Sequence, residues 1–366
     1  MTAPWICIAG GGTGGHLMPA LALADGLRRR WPHLAVRFIG AERGLEARLL
    51  PERGEEVLLL TMHAVAGAGM WQRLRVVVGE LPRAVWRILR HWRGGRPALV
   101  VGVGGYASAM GVAAALCARV PVVLYEQNAV PGMVNRRLAR FCRRVVLGMA
   151  AARDHLASGI DCVVCGNPVR REIADLRWRP HRPPVLLVLG GSQGARFLNR
   201  TMPQVAAALR ERGLEFSVRH QCGRGNRAEV AAAYRRAGVA AEVEEFCHRM
   251  EGFYAAGDLL VARAGAMTVA EVEAVGMPAL FVPLPTAADD HQYHNAAALV
   301  RVGGARLLRQ EEATVARLTG EIAPLLGDER ARAAMHTASR SRAPVDALGA
   351  LLDALAPWIP QPAAGS

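Results

Sequence analysis

The feature that most constrains this chain is a short apolar run leading straight into a glycine-rich turn, and it occurs twice. Trp5-Ile-Cys-Ile-Ala9 is followed by Gly10-Gly-Gly-Thr-Gly-Gly-His16, and Val185-Leu-Leu-Val-Leu189 by Gly190-Gly-Ser-Gln-Gly194. A continuous apolar run of this length fits a strand covered on both faces, and glycine permits the tight path from its end into a helix. Residues 5–9, 35–39, 57–60, 98–103, 122–125, 145–147 and 162–165 read as strands, with helical stretches such as 19–30 and 108–118 between them. A polar, proline-marked segment, 175–184, interrupts the rhythm. Strands resume at 185–189, 216–220, 241–246, 258–261, 279–282 and 305–308. This alternation predicts an α/β protein with two Rossmann-like domains whose parallel sheets face each other across a cleft. The expected domains are 1–165 and 166–344, with a terminal helix near 345–358 that packs back on the first.

The 366 residues suffice for two such domains, and a mean hydropathy of +0.15 supplies a large core. All 45 basic residues are arginine, and the net charge is +14. Residues 1–165 hold 21 arginines against 10 acids, while 166–366 hold 24 against 21, so the first half should meet something anionic. Nucleic acid is disfavoured, because aromatics are only 5% and no stacking or groove-reading motif is present. A membrane surface or a pyrophosphate-bearing substrate remains. The seven cysteines show no disulfide spacing, which points to a reducing compartment, and Cys162-Val-Val-Cys165 lacks a second ligand pair. The N-terminus lacks the basic region of a secretory signal. The charge-free stretch 97–118 contains Gly102, Gly104, Gly105 and Gly111, so it reads as strand, turn and helix rather than as a membrane span.

Gly10-x-Gly12-x-x-Gly15 formally satisfies the dinucleotide fingerprint. A nicotinamide oxidoreductase would also need an acid closing the second strand. That strand ends Phe38-Ile39-Gly40 with Glu42 two residues on, a weak match. Gly104-Gly105-Tyr106 and Gly190-Gly191-Ser192 add two more turns able to face an anion, which suits two phosphorylated substrates better than one dinucleotide. His16, directly after the first turn, either caps and packs its helix or serves as a base.

Together, Gly11-Gly-Thr-Gly-Gly-His16, Gly104-Gly-Tyr106, Glu126-Gln-Asn128, Gly166-Asn-Pro-Val-Arg170, Gly190-Gly-Ser-Gln-Gly-Ala-Arg196, Arg263 through Glu271 and His291-Gln-Tyr-His-Asn295 resemble the MurG family in order and spacing. The resemblance implies the GT-B fold and transfer of N-acetylglucosamine from UDP-GlcNAc to undecaprenyl-pyrophosphoryl-MurNAc-pentapeptide, lipid I to lipid II. It implies that Ala266, Met267, Thr268, Val269, Ala270 and Glu271 form the donor segment, with Glu271 accepting from the uridine ribose. Ser192 and Arg170 would contact the diphosphate, Gln292 and Asn295 the sugar, and the backbone of Cys247 the uracil. Thr13, Gly14, Gly15 and Asn128 would touch the GlcNAc from the first domain, and Gly104, Gly105 and Tyr106 the acceptor. His16 and Glu126 are the candidate bases. Ala264 stands where serine is frequent in the family, and a length difference falls around 285–289.

The sequence contains no Asp-x-Asp, so the expected transferase uses neither metal nor other cofactor. Helix N-termini after Ser192 and near Thr268, with Arg170, would offset the leaving diphosphate. Trp71, Leu74, Val78, Leu81, Val85, Ile88 and Trp92 draw an apolar stripe among Arg73, Arg75, Arg83, Arg87, Arg90, Arg93 and Arg96, with Pro82 splitting it in two. This stripe and a second cluster, Arg136, Arg137, Arg140, Arg143 and Arg144, predict an interfacial anchor on anionic lipid. The expected location is the cytoplasmic side of the inner membrane, as a peripheral protein, with other cell-wall synthesis proteins as further partners and no nucleic acid. A GT-B transferase with a soluble acceptor is the rival reading.

Overall fold

A computed structural model describes residues 4–12, 14–61, 76–191 and 194–361. The chain forms two compact units, Met1–Pro168 with Asp346–Ser366, and Val169–Val345. In the first unit the order is β1 (Trp5–Ala9), α1 (Gly14–Arg30), β2 (Ala35–Ala41), α2 (Glu46–Glu52), β3 (Val57–Leu60), α3 (Leu81–His91), β4 (Leu99–Gly102), α4 (Gly105–Cys117), β5 (Val122–Glu126), α5 (Met133–Leu138), β6 (Arg144–Leu147) and β7 (Cys162–Val164). Among the described residues, seven strands form one sheet in the order β3-β2-β1-β4-β5-β6-β7, every pairing parallel.

Alternation along β1 shows why a continuous apolar run was needed. Ile6 and Ile8 join a cluster with Leu17, Leu23 and Leu27 of α1, while Trp5, Cys7 and Ala9 join one with Ala84, Ile88, Met110 and Val112 of α3 and α4. Both faces of the sheet are therefore covered, as parallel strands require. Helix α1 starts at Gly14, five residues earlier than the expected stretch, and carries Pro19 within it.

That demand for cover also decides the apolar stripe. Ile88 and Trp92 are buried, and Leu81 and Val85 pack on the same cluster. Trp92 meets Trp5 edge to face at 6.2 Å. The stripe of α3 thus faces the sheet instead of forming the expected anchor, and Arg83, Arg87 and Arg90 line its outer side. Among the described residues here, the exposed apolar side chains are Val78, at 67%, and Trp86, at 55%, the latter outside the predicted stripe. Trp71, Leu74, Arg73 and Arg75 lie outside the described residues. The stretch 97–118 is β4, a turn and α4, and no helix among the described residues is long and apolar enough to cross a membrane.

The second unit comprises α6 (Arg171–Ala174), β8 (Val185–Leu189), α7 (Arg196–Glu211), β9 (Ser217–Gln221), α8 (Arg227–Arg236), β10 (Ala241–Glu244), α9 (Met250–Ala255), β11 (Leu259–Ala262), α10 (Ala266–Val275), β12 (Ala279–Phe281), α11 (His291–Arg301), β13 (Ala305–Leu307), α12 (Val315–Gly327) and α13 (Glu329–Arg340). Its parallel sheet runs β10-β9-β8-β11-β12-β13. The proline-marked segment 175–184 is tied into this unit. Trp178 Nε1 donates to the Asp258 carbonyl, and the buried Asp258 carboxylate accepts from His181 N and Val185 N at 2.7 and 2.8 Å. Helix α14 (Ala347–Leu355) belongs to the first unit, where it packs on α1.

Candidate active site

In the first unit β1, β4 and β5 are neighbours, so the segments after them emerge side by side at the C-terminal edge of the sheet. Gly11 N donates weakly to Gly104 O at 3.4 Å, and Gln127 Nε2 donates to Val103 O at 3.1 Å. The His16 ring lies where a Cβ of Gly104 would sit, and Gly104 has φ +99°, so glycine is required there on two counts. The structure therefore brings together His16, Gly104, Gly105 at the start of α4, and the Glu126–Asn128 segment.

Glu126 is 2% exposed. Its Oε1 accepts from Asn128 N and Asn128 Nδ2 at 2.9 and 3.1 Å, and its Oε2 from Gly132 N and Asn135 Nδ2 at 3.0 and 2.8 Å. Four donors fill the lone-pair directions of a carboxylate, leaving none aimed at a substrate hydroxyl. Glu126 thus shapes the loop carrying Asn128.

A side chain that the sequence reading passed over lies beneath the first glycine turn. Glu46, the first residue of α2, is fully buried, and its Oε2 accepts from Gly12 N at 2.7 Å. Glu42, the weak candidate for a dinucleotide ribose, is instead bonded by Thr61 Oγ1 at 2.6 Å. The one sequence sign of Glu46 is its setting, an acid opening a short helix between Gly40, Gly44 and Gly54. Thr13 lies outside the described residues.

In the second unit β8 and β11 are adjacent, so the Gly190–Gly194 turn before α7 and the 263–265 turn before α10 also share one sheet edge. Ser192 lies outside the described residues. Gly265 precedes α10, whose first turn holds Ala266, Met267 and Thr268, and whose Val269 and Ala270 are buried. Glu271, one turn further, has Oε2 bonded by the Tyr254 hydroxyl at 2.9 Å. Burial raises the Glu271 pKa above the ordinary carboxylate range, while Tyr254 and Arg170 pull it back. Arg170 also acts on Tyr254 and Glu251, so Arg170, Tyr254 and Glu271 form one electrostatic group. Tyr254 was not among the expected site residues; its bond to Glu271 joins α9 to α10 across 17 residues, which sequence spacing does not reveal.

Arg263 bridges two strand ends, donating to Val282 O and Pro283 O at 2.9 and 3.0 Å and to Gln310 Oε1 at 2.6 Å. Burial lowers its pKa to about 10. Gln292 Oε1 accepts from Leu284 N at 3.0 Å, and buried Asn295 donates to Ala264 O at 3.1 Å, which fixes α11 against the start of α10. Cys247 lines an open depression of about 380 Å³ with Arg219, Glu244, His248, Arg249 and Phe253, and burial pushes its thiol up to about 11. Among the described residues no three His, Cys, Asp or Glu side chains are grouped so as to hold a metal ion.

The sequence matches the glycosyltransferase family 28 N-terminal domain over residues 6–147 and the family 28 C-terminal domain over residues 185–348. It is 42% identical over 353 residues to the UDP-N-acetylglucosamine–N-acetylmuramyl-(pentapeptide) pyrophosphoryl-undecaprenol N-acetylglucosamine transferase of Aeromonas hydrophila, covering 95% of each chain. It is 43% identical to the enzyme of that name from Alcanivorax borkumensis, covering 87% of this chain and 89% of that one. The crystal structure of Acinetobacter baumannii MurG superposes with a TM-score of 0.80 at 28% identity, covering 97% of this chain and 99% of that one. The calicheamicin glycosyltransferase CalG4 shares the fold at a TM-score of 0.68 and 18% identity, over 98% of this chain and all of that one. These similarities span both units, and the chain belongs to the GT-B glycosyltransferases of family 28, among the MurG enzymes.

Proposed function

We propose that this protein transfers N-acetylglucosamine from UDP-GlcNAc to the MurNAc 4-OH of undecaprenyl-pyrophosphoryl-MurNAc-pentapeptide, converting lipid I to lipid II with inversion at the anomeric carbon. The 42% identity over 95% of both chains to a transferase of that activity carries the reading. The donor sits in the second unit. Glu271, turned by Tyr254, accepts from the ribose hydroxyls, and the first-turn amides of α10 with Arg170 face the departing diphosphate. Gln292 and Asn295 hold the sugar, the Cys247 backbone reads the base, and Ser192 joins the diphosphate contacts.

In the first unit His16 takes the proton of the attacking hydroxyl. The filled coordination of Glu126 supports this assignment and makes Glu126 the residue that presents Asn128. Gly104, Gly105 and Tyr106 receive the acceptor, while Thr13, Gly14 and Gly15 border the transferred sugar. The deciding experiment is transfer of labelled GlcNAc from UDP-GlcNAc to a lipid I analogue, with and without EDTA. Turnover unaffected by the chelator is expected; no turnover, or turnover only with an added divalent cation, refutes the scheme.

The lipid-linked acceptor gives a reason for contact with the cytoplasmic face of the membrane, where the free thiols of this chain stay reduced. Val78, Trp86 and Phe141 supply the apolar contacts, Trp86 and Phe141 each being 55% exposed beneath the guanidinium of Arg90 and Arg140. The double variant W86A/F141A should reduce sedimentation with anionic vesicles while leaving UDP binding intact. Equal sedimentation removes this surface from the account.

A further inference from the structure

Glu46 has no part in the reaction as described, yet its placement is specific. The carboxylate accepts from Gly12 N at 2.7 Å through Oε2 and from Ala41 N at 2.9 Å through Oε1, joining the first glycine turn to the end of β2. A Cβ on Gly11, Gly40 or Gly44 would run into this side chain, so three glycines wall it in. Among the described residues no arginine or histidine bonds to it. Its bonded partners are two backbone N–H groups, those of Gly12 and Ala41. An isolated buried carboxylate is costly unless it is hydrogen-bonded, and Gly12 N and Ala41 N, which the close approach of these backbones brings to it, are its donors.

We propose that Glu46 is the specificity-determining and positioning residue of the first glycine turn. It is a resident anion that occupies the Gly12 amide, denies that turn to a nucleotide diphosphate, and fixes the backbone from which His16 is set over Gly104. A diphosphate approaching Gly12 would find the amide already engaged and a negative charge behind it. The nucleotide is thereby left to the second unit, and the first unit keeps its fingerprint glycines for shape.

The His16 part rests on the transferase reading; the anion part does not. The test uses the full chain with Glu46→Gln and Glu46→Ala, read by transfer kinetics and by calorimetry with inorganic pyrophosphate. Glu46→Gln is expected to lower kcat about tenfold or more while the KM for UDP-GlcNAc stays within about twofold. Formate, a free carboxylate, should restore part of the kcat of Glu46→Ala and leave Glu46→Gln unchanged. Glu46→Ala should also bind pyrophosphate about tenfold tighter than wild type. A wild-type kcat in Glu46→Gln overturns the positioning role, and unchanged pyrophosphate affinity in Glu46→Ala overturns the resident anion. If Glu46→Ala does not fold, Glu46→Gln decides alone: a loss in kcat with unchanged KM supports the proposal, and equal changes in both overturn it. A wild-type protein with no transfer activity refutes the transferase reading instead, and the calorimetry then still decides the anion claim.

Discussion

The two glycine-rich turns follow the same local plan and are filled differently. Behind the first, the Glu46 carboxylate takes the Gly12 amide, and Gly11 at φ +147° presses against that side chain. In the second, Gly191 at φ +80° has no neighbour among the described residues where a Cβ would sit, and Gly194 backs onto the Cys222 carbonyl. Neither arrangement follows from the glycine spacing. Spacing dictates how the backbone leaves the strand, and elements distant in sequence dictate what occupies the turn. A fingerprint of this kind is thus a statement about chain path, and its ligand must be read from what stands behind the amides.

Alanine at the two turns gives the largest contrast. Gly11→Ala adds a left-handed strain to a collision with a buried carboxyl and should destabilise the first unit by about 3 kcal/mol or more. Gly191→Ala meets no neighbour among the described residues and should cost about 1–2 kcal/mol from backbone conformation alone. Equal losses in thermal unfolding would erase the distinction. Next in size is Glu271→Ala, which should weaken UDP-GlcNAc by about 1–3 kcal/mol, the worth of a hydrogen bond to a charged group. Unchanged donor affinity removes Glu271 from the donor seat. The smallest effect concerns pH. In the proposed scheme the ionised carboxylate of Glu271 accepts from the ribose, and burial raises its pKa, so donor affinity should begin to fall at a higher pH than for an ordinary glutamate as the solution is acidified. Titration of UDP affinity by calorimetry reads this directly, and a profile shared with Glu271→Ala would contradict it.

The central strands were legible because they are covered on both sides: Val185–Leu189 and Leu259–Ala262 are unbroken apolar runs, and the structure makes them the paired strands β8 and β11. The function was legible because its motifs carry order as well as composition. The stripe on α3 was misleading, because an amphipathic helix has the same periodicity whether its apolar side meets lipid or a sheet. Ile88 and Trp92 went to the sheet, and Trp86, one position off the stripe, was left outside. Glu46 was illegible for another reason. It lies 34 residues from Gly12, and only the return of the chain after β2 brings them together. Tyr254 joins Glu271 by a hydrogen bond of the same non-local kind, across 17 residues.

Helix α14 has a consequence for biosynthesis. It closes the apolar flank of α1, with Leu351 and Leu355 buried in that core and Leu348 lying against Gly26. During translation residues 1–168 emerge first, and the whole of 169–345 must follow before their missing layer arrives. The second unit, continuous in sequence, has all its parts while the first still shows bare leucines to the cytosol or to a chaperone. Completion therefore runs opposite to the order of synthesis, and loss of a few final turns of helix would strand the half that was made earliest.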